Sequence, residues 1–165
     1  MPSARSLLRA HCSLLLVIAT LAATPASAFL GDTLADITKH RGKPSGKPDK
    51  NKALWLFEGN DGQLAFAVRF DEGGRSIAET LKPALIGRSL HPEIVTDFIK
   101  AQVAPLEGSP SMRVVKVGEK YTFAGQNLSV AEDEYVIVDE PRGFLLVWVR
   151  SSLPSVTVLT PAALK

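Results

Sequence analysis

Two histidines outside the leading apolar segment, His40 and His91, are the first residues to weigh for proton-transfer chemistry. A general base needs a nucleophile or carboxylate within hydrogen-bond reach. His40 lies instead among Lys39, Arg41 and Lys43, and His91 precedes Pro92 at a helix start. No Gly-x-Ser-x-Gly elbow surrounds any serine. Ser76 falls inside a strand pattern, and Ser109 and Ser111 flank a proline in a loop. Carboxylates gather at Asp71-Glu72, at Glu132-Asp133-Glu134 and at Asp139-Glu140. None of these has the alternating ligand spacing of a calcium loop, and all fall on turn signals, so solvated hairpin tips are expected. The single cysteine, Cys12, sits in the leader, which leaves no thiol for catalysis or for a cysteine-based metal centre beyond it. No catalytic set, metal site or cofactor site is expected.

The strongest chemical bias is electrostatic. Lys39, Arg41, Lys43, Lys47, Lys50 and Lys52 stand against Asp49 in one polar stretch. Such a patch suits an anionic partner, for instance lipid headgroups or a polyanionic cell-wall polymer. No aromatic residue interleaves with it, so nucleic-acid stacking is not expected. Among the aromatic residues, Trp55 and Trp148 become interaction candidates if they lie on an open sheet face.

The elements that would carry these residues begin after a leader. Arg5 and Arg9, the apolar run from Leu14 to Ala23, and Ala26-Ser27-Ala28 have the order of a Sec signal peptide over residues 1–28. The apolar run is shorter than the roughly 20 residues that a membrane span needs. Removing Arg5 and Arg9 from 19 Lys and Arg leaves 17, against 17 Asp and Glu. The exported chain is thus formally neutral, which gives no argument for a nucleic-acid partner, and the signal peptide pattern implies a place in the periplasm or outside the cell.

Residues 29–82 read as a helix followed by three strands. Asp32 or Thr33 can cap a short helix holding Leu34 and Ile37, and Gly42 and Pro44 end it. Leu64, Phe66, Val68 and Phe70 alternate with Gln63, Ala65, Ala67 and Arg69. That period of two sends bulky side chains to one face of a strand and small or charged ones to the other. Residues 83–165 read as a second unit: a helix over 90–103, with Ile94, Val95, Phe98 and Ile99 on one face, then several short strands. Val156 to Leu159 reads as a terminal strand or a frayed tail. The expected fold class is α+β: tandem helix plus antiparallel β-meander units, helices packed on one sheet face.

Gly31-Asp32-Thr33, Ile37, Gly42-Lys43-Pro44, Trp55-Leu56-Phe57, the Leu64 to Asp71 alternation, Gly74 and Ile77 resemble the BamE (SmpA/OmlA) family of small outer-membrane assembly proteins. The pattern is also similar to the β-lactamase-inhibitor protein. The resemblance covers about residues 30–80 and implies a non-enzymatic shape that works by contact. It departs from the BamE family in having no cysteine for lipidation after the leader. The functional expectation is therefore protein–protein contact in the cell envelope. The alternative is a small-molecule or lipid carrier with an apolar pocket on a curved sheet.

Overall fold

The computed structural model describes residues 30–59 and 62–165. The expected signal peptide and the tip of the first hairpin, Asn60–Asp61, lie outside the described residues. Helix α1 (Leu34–Arg41) starts at Thr33. The Thr33 hydroxyl accepts from the Asp36 N–H at 3.2 Å, and the Asp36 carboxylate accepts from the Thr33 N–H at 3.1 Å. This reciprocal pair satisfies donors that the first helical turn leaves free. Gly42 closes the helix at φ 78°, and its carbonyl accepts from Trp55 Nε1 at 2.9 Å. The helix end is thereby pinned to strand β1 (Lys52–Gly59).

Strands β1, β2 (Gly62–Phe70) and β3 (Ser76–Pro83) form an antiparallel meander with Trp55, Phe66 and Leu81 in one cross-strand row. Helix α2 (Pro92–Val103) follows, with Pro92 in its first turn, where the missing N–H costs nothing. Then come β4 (Arg113–Val115), the hairpin β5 (Lys120–Phe123) and β6 (Gln126–Ser129), β7 (Glu134–Asp139), β8 (Phe144–Val149) and β9 (Ser155–Leu159). The β5–β6 turn places both Ala124 (φ 53°) and Gly125 (φ 76°) at positive φ, as a tight two-residue hairpin requires.

The tandem arrangement expected from the sequence is overturned. Seven strands form one antiparallel sheet in the order β1-β2-β3-β9-β8-β7-β4, and β5–β6 forms a small second sheet. The fold is β-rich, with the helices as minor elements. The reason lies in β9. It pairs with β3 from Ala78↔Leu159 to Leu81↔Val156, and with β8 from Leu145↔Leu159 to Val149↔Ser155. The segment that reads as a strand or frayed tail is instead a central strand, and it joins the two meanders into one surface. Its Val-Thr-Val alternation puts Val156 and Val158 fully inside.

The sheet has two differently covered faces. On one, Ile37, Val95 and Phe98 from the helices share a cluster with Trp55, Phe66, Val68, Leu81, Leu146, Val156 and Val158. The opposite face carries the alternate residues. There Val136, Val138 and Leu145 are covered by Tyr121 and Phe123 of the β5–β6 hairpin. The hairpin covers only the β7–β8 half, and the β1–β3 half is left open.

Phe66 lies at the centre of the main cluster, with ring centroids 5.7 Å from Trp55 and 6.3 Å from Phe98. Phe66→Ala is expected to cost about 3–5 kcal/mol, read as a lowered urea midpoint with an unchanged slope.

Candidate functional site

The open face is built by alternation. Residues that point away from the helices form cross-strand rows. One row is Leu54, Ala67, Thr80 and Thr157; the next is Lys52, Arg69, Ala78 and Leu159. Ala67, Ala78 and the two threonines are short, so the middle of the face is low. Its walls come from outside the sheet. Ser45–Asp49 rises along β1: the Ser45 N–H donates to the Leu54 carbonyl at 2.7 Å, and the Ser45 hydroxyl accepts from the Leu56 N–H at 2.9 Å. These bonds also occupy backbone groups of an edge strand that would otherwise be free to pair with another chain. The opposite wall is the C-terminal turn Pro161–Leu164, which Arg69 holds by donating to the Ala163 carbonyl.

The result is a groove of about 690 Å³ with a mainly apolar lining. Lys47, Lys52 and Arg69 bring three positive charges to it, against the one carboxylate of Asp49. The Thr80 and Thr157 hydroxyls lie 3.0 Å apart across its floor. Arg69 Nε is buried and has no partner among the described residues. Thr80 also lines a second hollow of about 380 Å³ on the same face, whose walls are the loops around Leu85 and Leu153. The face thus carries cations at both hollows, Lys47, Lys52 and Arg69 at the first and Lys82 and Arg88 at the second. It can seat an elongated apolar body with an acidic group, and among the described residues its lining includes no imidazole.

The interaction residues expected from sequence divide among three places. Lys47 and Lys52 line the groove. Lys39, Lys43 and Lys50 are exposed and do not line it, and Lys39 belongs to α1, which packs on the opposite face. Arg41 turns inward: its guanidinium sits 4.1 Å over the Phe66 ring centroid and 6.0 Å from that of Phe57. Burial pulls its pKa down, and the Glu79 carboxylate opposes that pull. Trp55 is buried on the helix face, and Trp148 is half-buried, edge-on to Tyr135 at 6.4 Å. Neither tryptophan stands on the open face. Sequence reasoning passed over Arg69, Ala67, Ala78, Thr80 and Thr157 as site residues. For Arg69 and Ala67 the signal was the small-and-charged side of the β2 alternation.

No family model matches the chain, and no curated protein matches it. Among solved structures, the crystal structure of an extracellular protein containing an SCP domain from Bacillus anthracis str. Ames is a distant neighbour. It shows 9% identity and a TM-score of 0.39, over 99% of this chain and 51% of that one. This chain therefore spans about half the length of that protein. A likeness at that level defines neither a shared fold nor a shared function.

Two carboxylates lie fully buried away from the groove. Asp139, expected at a solvated turn, accepts from the Ser109 hydroxyl at 2.5 Å, the Ser111 hydroxyl at 2.7 Å and the Arg142 N–H at 3.3 Å. Burial raises its pKa, but these donors and the Arg142 charge outweigh burial and hold the carboxyl below the usual range. Ser109 and Ser111 are therefore spent on tying their loop to the β7–β8 turn. Glu79 sits on the helix face of β3 and accepts from Ser76 Oγ at 3.1 Å and Gln102 Nε2 at 2.9 Å. Burial dominates there and pushes its pKa to about 7, with the two hydrogen bonds and Arg41 opposing.

Glu79 binds its proton more tightly in the folded chain than in the unfolded one. The stability this adds is complete below the unfolded value of 4.5 and is lost as pH rises toward about 7. Denaturation midpoints are expected to fall across that window as unfolding stability drops by on the order of 3 kcal/mol in all. Glu79→Gln is expected to flatten the profile.

Proposed function

We propose that the protein is an exported, non-enzymatic binding protein of the cell envelope that holds an amphiphile in the open-face groove. The observation that carries this reading is the groove itself: a low floor of Ala67, Ala78, Thr80 and Thr157 between raised walls, with Lys47, Lys52 and Arg69 at one end. A volume of this size falls within the range of small-ligand sites, which are mostly apolar with a few placed polar groups. The cations favour an acidic head, and the apolar lining favours an acyl or similar chain. Support for export comes from the leader pattern of residues 1–28. Support for a non-enzymatic role comes from the composition of the groove and from the BamE-like pattern of residues 31–77.

A second reading places an envelope protein on the same face. It is favoured by Leu54 and Leu56, each 38% exposed on the outward side of edge strand β1.

The test is saturable binding of a fluorescent acyl carboxylate, run beside the alcohol of the same chain length. The acid is expected to bind more tightly. Ala67→Trp, which fills the floor, is expected to abolish binding. Lys47→Glu with Lys52→Glu is expected to weaken the acid about tenfold at low salt and leave the alcohol nearly unchanged. Native mass spectrometry of the chain recovered from its own host is expected to show a bound mass that Ala67→Trp lacks. A clean apo mass together with no saturable acyl binding would remove this reading and leave the protein-contact one.

A further inference from the structure

The other end of the open face carries the least expected surface chemistry in the molecule. Ile86 is 89% exposed, and Leu85 and Leu153 are each 62% exposed. They sit on two loops, one after β3 and one before β9, that meet around the same hollow. Single exposed aliphatic residues are ordinary, but three large ones at one tip form a patch that water disfavours. Lys82 and Arg88 line the same hollow, and no carboxylate does among the described residues. Arg150 does not line it and instead donates to the carbonyls of Glu132 and Asp133. Apolar side chains projecting from loops and flanked by unopposed cations fit one kind of partner well. A bilayer with anionic headgroups offers hydrocarbon to the aliphatic tips and phosphate to the cations. No helix of the described residues is long and apolar enough to cross a membrane.

We infer that the tip formed by Leu85, Ile86 and Leu153, flanked by Lys82 and Arg88, docks the protein on the surface of an anionic phospholipid membrane. The cationic stretch of residues 39–52 is a separate feature, because its groove-lining members Lys47 and Lys52 line the other hollow of the open face. The inference does not rest on the ligand reading of the groove, since it uses only the loops.

An environment-sensitive fluorophore reports the contact directly. It is attached to the full chain at Ile86→Cys in a Cys12→Ser background, and in a second sample at Lys47→Cys. Both samples share the same leading segment, so a difference between labels belongs to the folded part. With vesicles of mixed phosphatidylglycerol and phosphatidylcholine, the label at 86 is expected to shift blue and brighten while the label at 47 stays in water. Pure phosphatidylcholine is expected to give a much weaker response. Leu153→Asp with Leu85→Asp is expected to lower vesicle partitioning more than tenfold. Lys82→Glu with Arg88→Glu is expected to remove the preference for anionic vesicles. Ala67→Trp is expected to change neither, which separates this result from failure of the groove reading. The inference is overturned if the two labels respond alike, or if the Asp variants partition as the parent does. It is also overturned if the label at 86 shifts with protein concentration in the absence of vesicles, because the tip then pairs with a second copy.

Discussion

The pairing of β3 with β9 is the interaction on which the architecture depends. Thr80 and Thr157 are 77 residues apart in the chain, yet their hydroxyls lie 3.0 Å from one another. Closing so long a loop costs only slightly more entropy than closing a short one, but the cost must still be offset locally. Complete burial of Val156 and Val158 provides the offset on one side of the strand. Without this junction the chain would hold two small meanders, each with an extra unpaired edge and a thin core. With it, a single face gathers the short side chains of three strands, β2, β3 and β9, and the groove exists because those strands are neighbours.

Two buried carboxylates brace the elements around this sheet, and their opposite pKa shifts follow from their donors. Asp139 accepts from two hydroxyls at short distance and a backbone N–H at a turn, with Arg142 nearby, so the charged form is solvated by the protein. Glu79 accepts from a hydroxyl and an amide, and the nearest cation, Arg41, is itself desolvated over Phe66. Burial therefore outweighs its hydrogen bonds. Each group has a positional consequence. Asp139 fixes the loop after α2 to the β7–β8 turn, and Glu79 links α2 to β3 through Gln102.

What was legible in the sequence was local. The alternation of Leu64 to Phe70 against Gln63 to Arg69 is a property of one strand, and it assigned both faces before any partner was known. The cap at Thr33 and the breakers Gly42 and Pro44 likewise act within a few residues. The order of strands was not legible. Val156 to Leu159 is short and stands between Pro154 and Pro161, and nothing within it names β3 as a neighbour. The same limit misassigned Arg41. Counting charge along the chain groups it with five lysines, whereas Phe57 and Phe66, which seat its guanidinium, come from strands beyond the loop. Asp139 failed in the same way, because its hydroxyl donors lie 28 and 30 residues earlier.

The composition of the open face bears on why it is open. An antiparallel sheet with one solvated side ordinarily alternates apolar inward residues with polar outward ones. On this face the inner positions are Ala67, Ala78, Thr80, Thr157 and Leu159, with longer charged side chains at Lys52, Arg69 and Lys82 around them. Aromatic or larger β-branched residues at those inner positions would add roughly 0.2–1 kcal/mol per cross-strand pair and would suit strand geometry better than alanine does. The floor therefore forgoes sheet stability that substitution alone would supply. What it retains instead is depth beneath two walls, each held by its own hydrogen bonds: Ser45 to Leu54 and Leu56 on one side, Arg69 to Ala163 on the other. A floor serving only to pair strands would not need walls, and walls alone would not need a floor of alanines. On the reading proposed above, a guest that fills the space between them would account for both.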